Sequence, residues 1–337
     1  MNNKLVQNIF LGTLLFTFLN VSNCIVAFNN LKLIDLPEKT IDLNEQLISG
    51  SGRDKILVIS IEGVIMDTPE SGVFGLSYGD SMVARVKEEL SKASLDQDIK
   101  GVILKVDSPG GGVTASDIIY RELNLFKAQK KIPIVALFMD TAASGGYYVS
   151  MSADAIIAHP TTVTGSIGVI ISGLNIKEGL DKIGIKDQSV TSGANKNILS
   201  PYSEFTPEKR KIIQSIVDNM YERFYSIVKK NRKKIDESKL KSLADGRIFT
   251  AEQAYQEGLV DGIGYAEDAI KKIMSLPNYK KNPGDDSPKI ITYTHTKKNI
   301  KNFYQATSDI QSKSSLDVIA DVLKKDRQAK FYYLWNL

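Results

Sequence analysis

A chain of 337 residues, 42% of them hydrophobic, is long enough to bury a sizeable core as one large domain with extensions or as two domains. Its formal charge of +4 is mild, with the lysine excess spread along the chain, so it carries no electrostatic footprint of a nucleic-acid binder. A single cysteine, Cys24, excludes an intramolecular disulfide and leaves the compartment open.

From the N-terminus, Ile9 to Phe28 is an apolar stretch close to the roughly 20 residues a bilayer-spanning helix needs, with Lys4 before it. Asn20, Ser22 and Asn23 interrupt it, so the uninterrupted part, Ile9 to Leu19, also suits the apolar region of a signal peptide. Residues 1–30 thus read as a signal anchor or signal peptide that exports the rest of the chain. Asn23 fits poorly where a lipoprotein signal would place a small residue before Cys24. Residues 31–54 are polar and punctuated by Pro37 and Gly50-Ser51-Gly52, the composition of a linker.

The folded part is expected over 55–275. Ile56 to Ile61 is a short continuous apolar run rich in β-branched residues, the signature of a strand buried on both faces. Comparable runs recur at Val102 to Val106, Ile134 to Met139, Ala155 to Ala158 and Val169 to Ile171. Helical patterns separate them near Ser81 to Ala93, Thr114 to Ala128 and Lys177 to Ile183. This alternation predicts an α/β architecture. Thr206 then caps a long predicted helix with Pro207 in its first turn. Ile212, Ile213, Ile216, Val217, Met220, Phe224, Ile227 and Val228 follow at helical spacing, a stripe that predicts core packing. Residues 276–337 read as a polar, Lys- and Asn-rich mobile extension. Its end, Phe331 to Trp335, is too apolar for a free tail and is expected to dock on the body or on a neighbouring subunit.

Three segments carry chemistry. Ser144, in Thr141-Ala142-Ala143-Ser144-Gly145-Gly146-Tyr147-Tyr148, follows a predicted buried strand and opens a helix. Its hydroxyl would lie at the positive helix end, where unsatisfied N–H groups can hold an oxyanion, the Gly145 N–H among them. A serine in such a run is also an ordinary small residue for close packing. Ala142 replaces the first glycine of the Gly-x-Ser-x-Gly elbow, so an α/β-hydrolase is not indicated. Gly110-Gly111-Gly112, after another strand, allows close backbone approach to a ligand or makes a tight turn, and no Gly-Lys-Ser/Thr follows to form a nucleotide site.

A serine nucleophile needs a group to take its proton. His159 precedes Pro160 and His295 lies in the polar tail, so neither suggests a triad. A lysine can serve once neutral, which takes lowering an amine from about 10.4 toward roughly 7 at a cost on the order of 4 to 5 kcal/mol, in a dry pocket. Many lysines are present, and sequence physics alone does not choose among them.

The Ser144 segment, Asp107-Ser108-Pro109-Gly110-Gly111-Gly112 and Thr191-Ser192-Gly193-Ala194-Asn195-Lys196 together resemble the signal peptide peptidase A family of membrane-bound serine proteases, also called protease IV. Asp245-Gly246-Arg247-Ile248-Phe249-Thr250 and Gly258-Leu259-Val260-Asp261 extend the likeness, so that it covers about Lys55 to Ile273. The resemblance implies the spiral of β-β-α units shared by the Clp protease and crotonase superfamily. It implies Ser144 as nucleophile, Lys196 as general base, Gly111 and Gly145 as oxyanion donors, and Ser166 as a hydroxyl that orients the lysine. Where the family often carries an aromatic residue, this chain has Asn195, which bears on substrate contacts. The resemblance further implies signal peptides left after preprotein processing as substrates, and a domain outside the bacterial inner membrane. It also implies a homo-oligomer, an octameric ring in the short single-unit members. No cofactor or metal is expected, since no metal-ligand spacing is present. Two other readings stay open: a catalytically inactive peptide-binding membrane scaffold and a crotonase-like acyl-CoA enzyme.

Overall fold

The computed structural model describes residues 43–68, 70–71, 77–78, 80–295, 300, 302–306 and 331–335. The apolar stretch Ile9 to Phe28 and Cys24 lie outside the described residues, within a first unit that ends at Asp42. Leu43–Leu337 forms the other unit. No helix among the described residues is long and apolar enough to cross a membrane.

The strands are β1 (Asn44–Ser49), β2 (Lys55–Glu62), a small pair β3 (Glu70–Ser71) and β4 (Ser77–Tyr78), β5 (Ile99–Ser108), β6 (Gly110–Gly112), β7 (Ile134–Ala143), β8 (Ala155–Ala158), β9 (Val163–Gly165), β10 (Ile170–Ile171), β11 (Ile248–Thr250), β12 (Gly262–Ile263), β13 (Lys289–Thr294) and β14 (Phe331–Leu334). Among the described residues the main sheet has nine strands, in the order β1-β13-β2-β5-β7-β8-β12, with β9 and β11 continuing from the end of β7. Strands β13, β2, β5, β7 and β8 pair in parallel.

The apolar runs predicted as buried strands are β2, β5 and β7, interrupted at their centres only by Ser60 and Lys105, and they are nearly continuous because both faces are covered. Leu57, Ile59 and Ile61, with Val102, Leu104 and Val106, point into one core, while Ile56, Val58 and Ile103 point into the other. Each such side chain, taken fully out of water, contributes about 1.5–3 kcal/mol. The first core is covered by helices α1 (Met82–Leu95), α2 (Val113–Lys130), α3 (Gly145–Ser150) and, after the short exposed α4 (Lys177–Lys182), the C-terminal half of α5 (Pro207–Asn231). Beyond α6 (Glu237–Leu243) and α7 (Ala251–Gln256), helix α8 (Ala266–Ser275) covers the second core through Ala266, Ala269 and Ile273.

Local chemistry fixes the helix ends. Ser81 caps α1 by accepting from the Ala84 N–H, Thr206 caps α5 by accepting from the Lys209 N–H, and Thr250 with Gln253 forms a capping box on α7.

Three differences from the sequence reading are instructive. Asn44–Ser49, inside the expected linker, is a strand antiparallel to β13. Lys289–Thr294, inside the expected mobile extension, is an inner strand between β1 and β2. Its consecutive residues Ile290 and Ile291 feed the two cores, a pattern too short to stand out from the lysines around it. The α5 stripe is only half core: Phe224, Ile227 and Val228 are buried, while Ile216 is exposed and Ile212, Val217 and Met220 are half-buried. The Phe331–Leu334 end docks on the body as β14, between β6 and β10.

Candidate active site

The site lies where β5 and β7 end, the edge at which open α/β sheets bind ligands. Strand β7 runs straight into Ser144, which is 1% exposed and serves as N-cap of α3 without using its hydroxyl for capping. The Ser144 backbone has φ 51° and ψ −112°, in the left-handed region that a side chain rarely adopts. Such strain persists only where the surroundings over-determine it. Here the Ser144 N–H donates to the Gly165 carbonyl at 2.8 Å, and the Ser144 carbonyl accepts from the Tyr148 N–H at 2.8 Å.

Glycine is required on both sides of the bend. A Cβ on Gly145 would stand 2.6 Å from Ser116 Oγ and 3.1 Å from the Gly111 nitrogen. One on Gly111 would stand 2.1 Å from the Ile65 carbonyl oxygen. Ile65 also orients the glycine strand: its N–H donates to the Gly110 carbonyl and its carbonyl accepts from the Gly112 N–H, each at 2.8 Å. Because successive peptide groups of a strand point to opposite edges, the Gly111 N–H faces away from Ile65, toward β14. Ser108 completes the turn by donating to the Gly63 carbonyl at 2.6 Å while accepting from the Gly110 N–H at 3.1 Å.

Ser166 is buried and has a positive φ of 49°. Its N–H donates to the Arg247 carbonyl at 2.7 Å, and β11 pairs with β9 just before it. The Asp245 to Thr250 motif therefore braces the Ser166 bend. Arg247 in turn is clamped by Asp245, whose carboxyl it holds down at about 2.

Lys196 stands apart. It is exposed, in a run of turns, and among the described residues its side chain makes no hydrogen bond or ion pair. Ser144, Gly111, Gly145 and Ser166 are thus brought together by one strand network, and Lys196 is not joined to it. The segment that carries Lys196 displays Leu174 (84% exposed), Ile176, Ile183, Ile185 and Val190 (98% exposed), an apolar surface left open among the described residues.

Several residues around the cleft were missed by the sequence reading. Tyr148 donates to Asp117 at 2.5 Å, and Arg223 grips the same carboxylate at 2.6 Å. Burial, followed by the Asp117 carboxylate, pushes the Tyr148 hydroxyl far up. Ser116 Oγ is buried with no hydrogen-bond partner among the described residues. Only the two adjacent tyrosines after Ser144 could have signalled an aromatic wall. Away from the cleft, Asp80, Glu88 and His295 bring ligand atoms within 4.8 Å of one another, a surface cluster in which His295 Nε2 lies 3.5 Å from Glu88.

A parallel α/β sheet whose inner strand ends in a strained serine opening a helix, beside a glycine strand with one N–H turned toward the same cleft, defines a Clp protease-like fold. Residues 126–280 match the model of peptidase family S49. A putative signal peptide peptidase SppA from Enterococcus faecium is 44% identical over 229 residues, which are 68% of this chain and 65% of that protein. A putative protease from Methanocaldococcus jannaschii is 32% identical over 265 residues, covering 73% of this chain and 82% of that one. The chain belongs to peptidase family S49, the signal peptide peptidase A family, although it spans less than two thirds of the Enterococcus relative's length. Among solved structures, a mutant of a membrane-bound stomatin-specific protease aligns with 78% of this chain and 100% of its own at 16% identity and a TM-score of 0.43.

Proposed function

We propose that this chain is a membrane-anchored serine endopeptidase that degrades cleaved signal peptides or other apolar, membrane-associated peptides. Ser144 is the nucleophile and Lys196 the general base. Ser144 Oγ attacks the peptide carbonyl as its proton passes to the Lys196 amine. The oxyanion is held by the Gly111 and Gly145 N–H groups, and the leaving amine takes the proton from the lysine. Water then attacks the acyl-enzyme as its proton passes to the Lys196 amine, which returns a proton to the Ser144 oxygen as the ester bond breaks. Ser166 orients the lysine amine.

The observation that carries the reading is Ser144 itself, buried, held at φ 51° and with its hydroxyl unused by the helix it opens. A purely structural serine has no need of that conformation. The base half calls for a second copy of the chain. Lys196 is solvated in a single chain, and a neighbour packed on Leu174, Ile183, Ile185 and Val190 would supply the dry surroundings that a neutral amine needs. A homo-oligomeric ring fits this requirement. Residues 9–28 are the proposed single-pass anchor, with the catalytic domain on the outer side of the bacterial inner membrane.

The test is hydrolysis of an apolar fluorogenic peptide by the full chain in detergent, beside Ser144→Ala and Lys196→Ala. Loss of turnover by 10³-fold or more in both variants is expected, on the scale of removing members of a catalytic unit. Turnover that survives either substitution would overturn the dyad. An inert wild type that still binds the peptide would establish the scaffold reading instead.

A further inference from the structure

Helix α1 and strand β13 meet along one matched stretch, far from Ser144 in the sheet order. Lys92 of α1 lies over the Tyr293 ring, its Nζ 5.4 Å from the ring centre, and donates to the Leu43 carbonyl at 2.7 Å. One helical turn earlier, Glu88 meets His295, two residues beyond Tyr293, with 3.5 Å between Glu88 Oε2 and His295 Nε2. Four helical residues rise about 6 Å and two strand residues about 6.6 Å, so the two contacts fall in step. Followed back past its cap Ser81, the helix brings Asp80 to the same place, its Oδ2 4.0 Å from the same ring nitrogen. Asn44, at the start of β1, holds the backbone there by donating from Nδ2 to the His295 carbonyl at 3.4 Å.

Ligand atoms of Asp80, Glu88 and His295 all lie within 4.8 Å of one another. Among the described residues no lysine or arginine pairs with either carboxylate, so two like charges are answered by an imidazole. Carboxylates this close repel unless a cation joins them.

The geometry points to a divalent metal site, and its donor set, one imidazole nitrogen and two carboxylate oxygens, to zinc. Magnesium and calcium take oxygen shells, and a copper(I) site calls for sulfur. With zinc–ligand bonds of about 2.0–2.2 Å, tetrahedral neighbours stand about 3.4 Å apart, a separation that Glu88 and His295 already match. Asp80, with 58% of its side chain exposed, closes the remaining roughly half an ångström by turning, and water takes the fourth position. The ion fastens the entry of α1 to the end of β13, which joins the sheet from more than two hundred positions later in the chain. Ligands so far apart in sequence make no local spacing, which is why the sequence showed no metal motif. The site stands independently of any role for Ser144.

The experiment titrates zinc chloride into the untagged, chelator-stripped full chain in detergent, followed by calorimetry. One zinc per chain is expected, and zinc at about 100-fold its Kd should raise the melting temperature by about 5 °C. His295→Ala and Glu88→Gln should each weaken binding at least about tenfold, the least that disturbing even a ligand's supporting partner costs. Asp80→Asn, the most exposed change, should weaken binding while leaving the metal-free melting temperature unaltered, which separates a lost ligand from a damaged fold. Cys24→Ser should bind as the wild type does, and the cobalt-loaded chain should show ligand-field bands with no thiolate charge-transfer band. No zinc uptake, uptake that survives His295→Ala, loss on Cys24→Ser, or displacement by millimolar calcium would overturn the assignment. Ser144→Ala should bind zinc like the wild type, so failure of this site and failure of the peptidase are read separately.

Discussion

The region around Ser144 and the region around Lys196, the proposed nucleophile and the proposed base, are built in opposite ways. Around Ser144, the bend is locked by backbone bonds to Gly165 and Tyr148, by the Ile65 contacts of the glycine strand and by the Arg247 carbonyl under Ser166. Around Lys196, the chain passes through successive turns, and its large apolar side chains face water. The first side is finished by the fold of one chain. The second displays apolar side chains that nothing among the described residues covers, and in the proposed function a second copy covers them. A hydroxyl and its oxyanion donors must be placed to within a fraction of an ångström, and a rigid sheet end does this. A lysine that must shed its proton needs exclusion of water, which a second copy can provide.

The sharpest way to break this contrast is on the rigid side. Gly145→Ala forces a methyl to within 2.6 Å of Ser116 Oγ and 3.1 Å of the Gly111 nitrogen, displacing both proposed oxyanion donors. A loss of 10²- to 10³-fold in kcat is expected, as for removal of one oxyanion donor. Adding Ser116→Ala removes the nearest obstacle at little cost, since that hydroxyl has no hydrogen-bond partner among the described residues, and should recover part of the rate. Steady-state kinetics on the single and double variants check the coupling.

On the other side, Leu174→Asp with Val190→Asp alters only exposed positions. The melting temperature of the isolated chain should hold, while sedimentation shifts to smaller species and kcat/KM falls about tenfold, by the mass action that links assembly to function. Unchanged sedimentation with unchanged rate would show that the base side needs no partner.

The contrast also explains what could be read from the chain. Strands β2, β5 and β7 were legible because both of their faces are buried, so their central runs are apolar except at Ser60 and Lys105. Ser144 was legible because it sits where such a run stops and glycines begin. Strand β13 was not, since its six residues lie among lysines and its pairing partners are more than two hundred positions away. The N-terminal half of α5 was misread because an apolar stripe at helical spacing does not say how deeply its face is buried. Lys196 shows the same limit in another form: its place came from family likeness, and the charge pattern around it carried no physical signal of its own. The contact between Tyr148 and Phe224 was hard to read for a simpler reason, since one was assigned to the helix after the serine and the other to a core stripe.

Within the rigid side, smaller changes should move stability more than rate. Tyr147, fully buried in the helix that Ser144 opens, donates to the Leu259 carbonyl at 2.8 Å. Tyr147→Phe keeps the ring and loses that bond, at a cost of about 1 kcal/mol. A denaturation midpoint lowered accordingly, with kcat nearly unchanged, would place the bond in the scaffold and outside the chemistry.

The smallest effect expected is a pH dependence at the far edge of the sheet. The Asp285 carboxylate accepts from the Asp54 and Arg53 N–H groups, each at 2.6 Å, and these bonds, Asp54's foremost, hold its pKa below the usual carboxylate value. A group whose folded pKa is depressed lends stability that is complete above its unfolded value, about 3.9 for aspartate, and is lost as pH falls through the folded value. Asp285→Asn removes this contribution at every pH. The gap in melting temperature between wild type and variant should therefore be widest near pH 6 and close as the solution is taken toward pH 3. Peptide turnover at neutral pH should be the same in both, because Asp285 joins the loop before β13 to the start of β2 and touches neither side of the cleft. A variant that kept wild-type stability at pH 6 would mean that water satisfies the two N–H groups as well as the carboxylate does. A variant that lost turnover would mean that the sheet edge is coupled to the serine bend, and the division into a self-sufficient side and a partner-dependent side would have to include that edge.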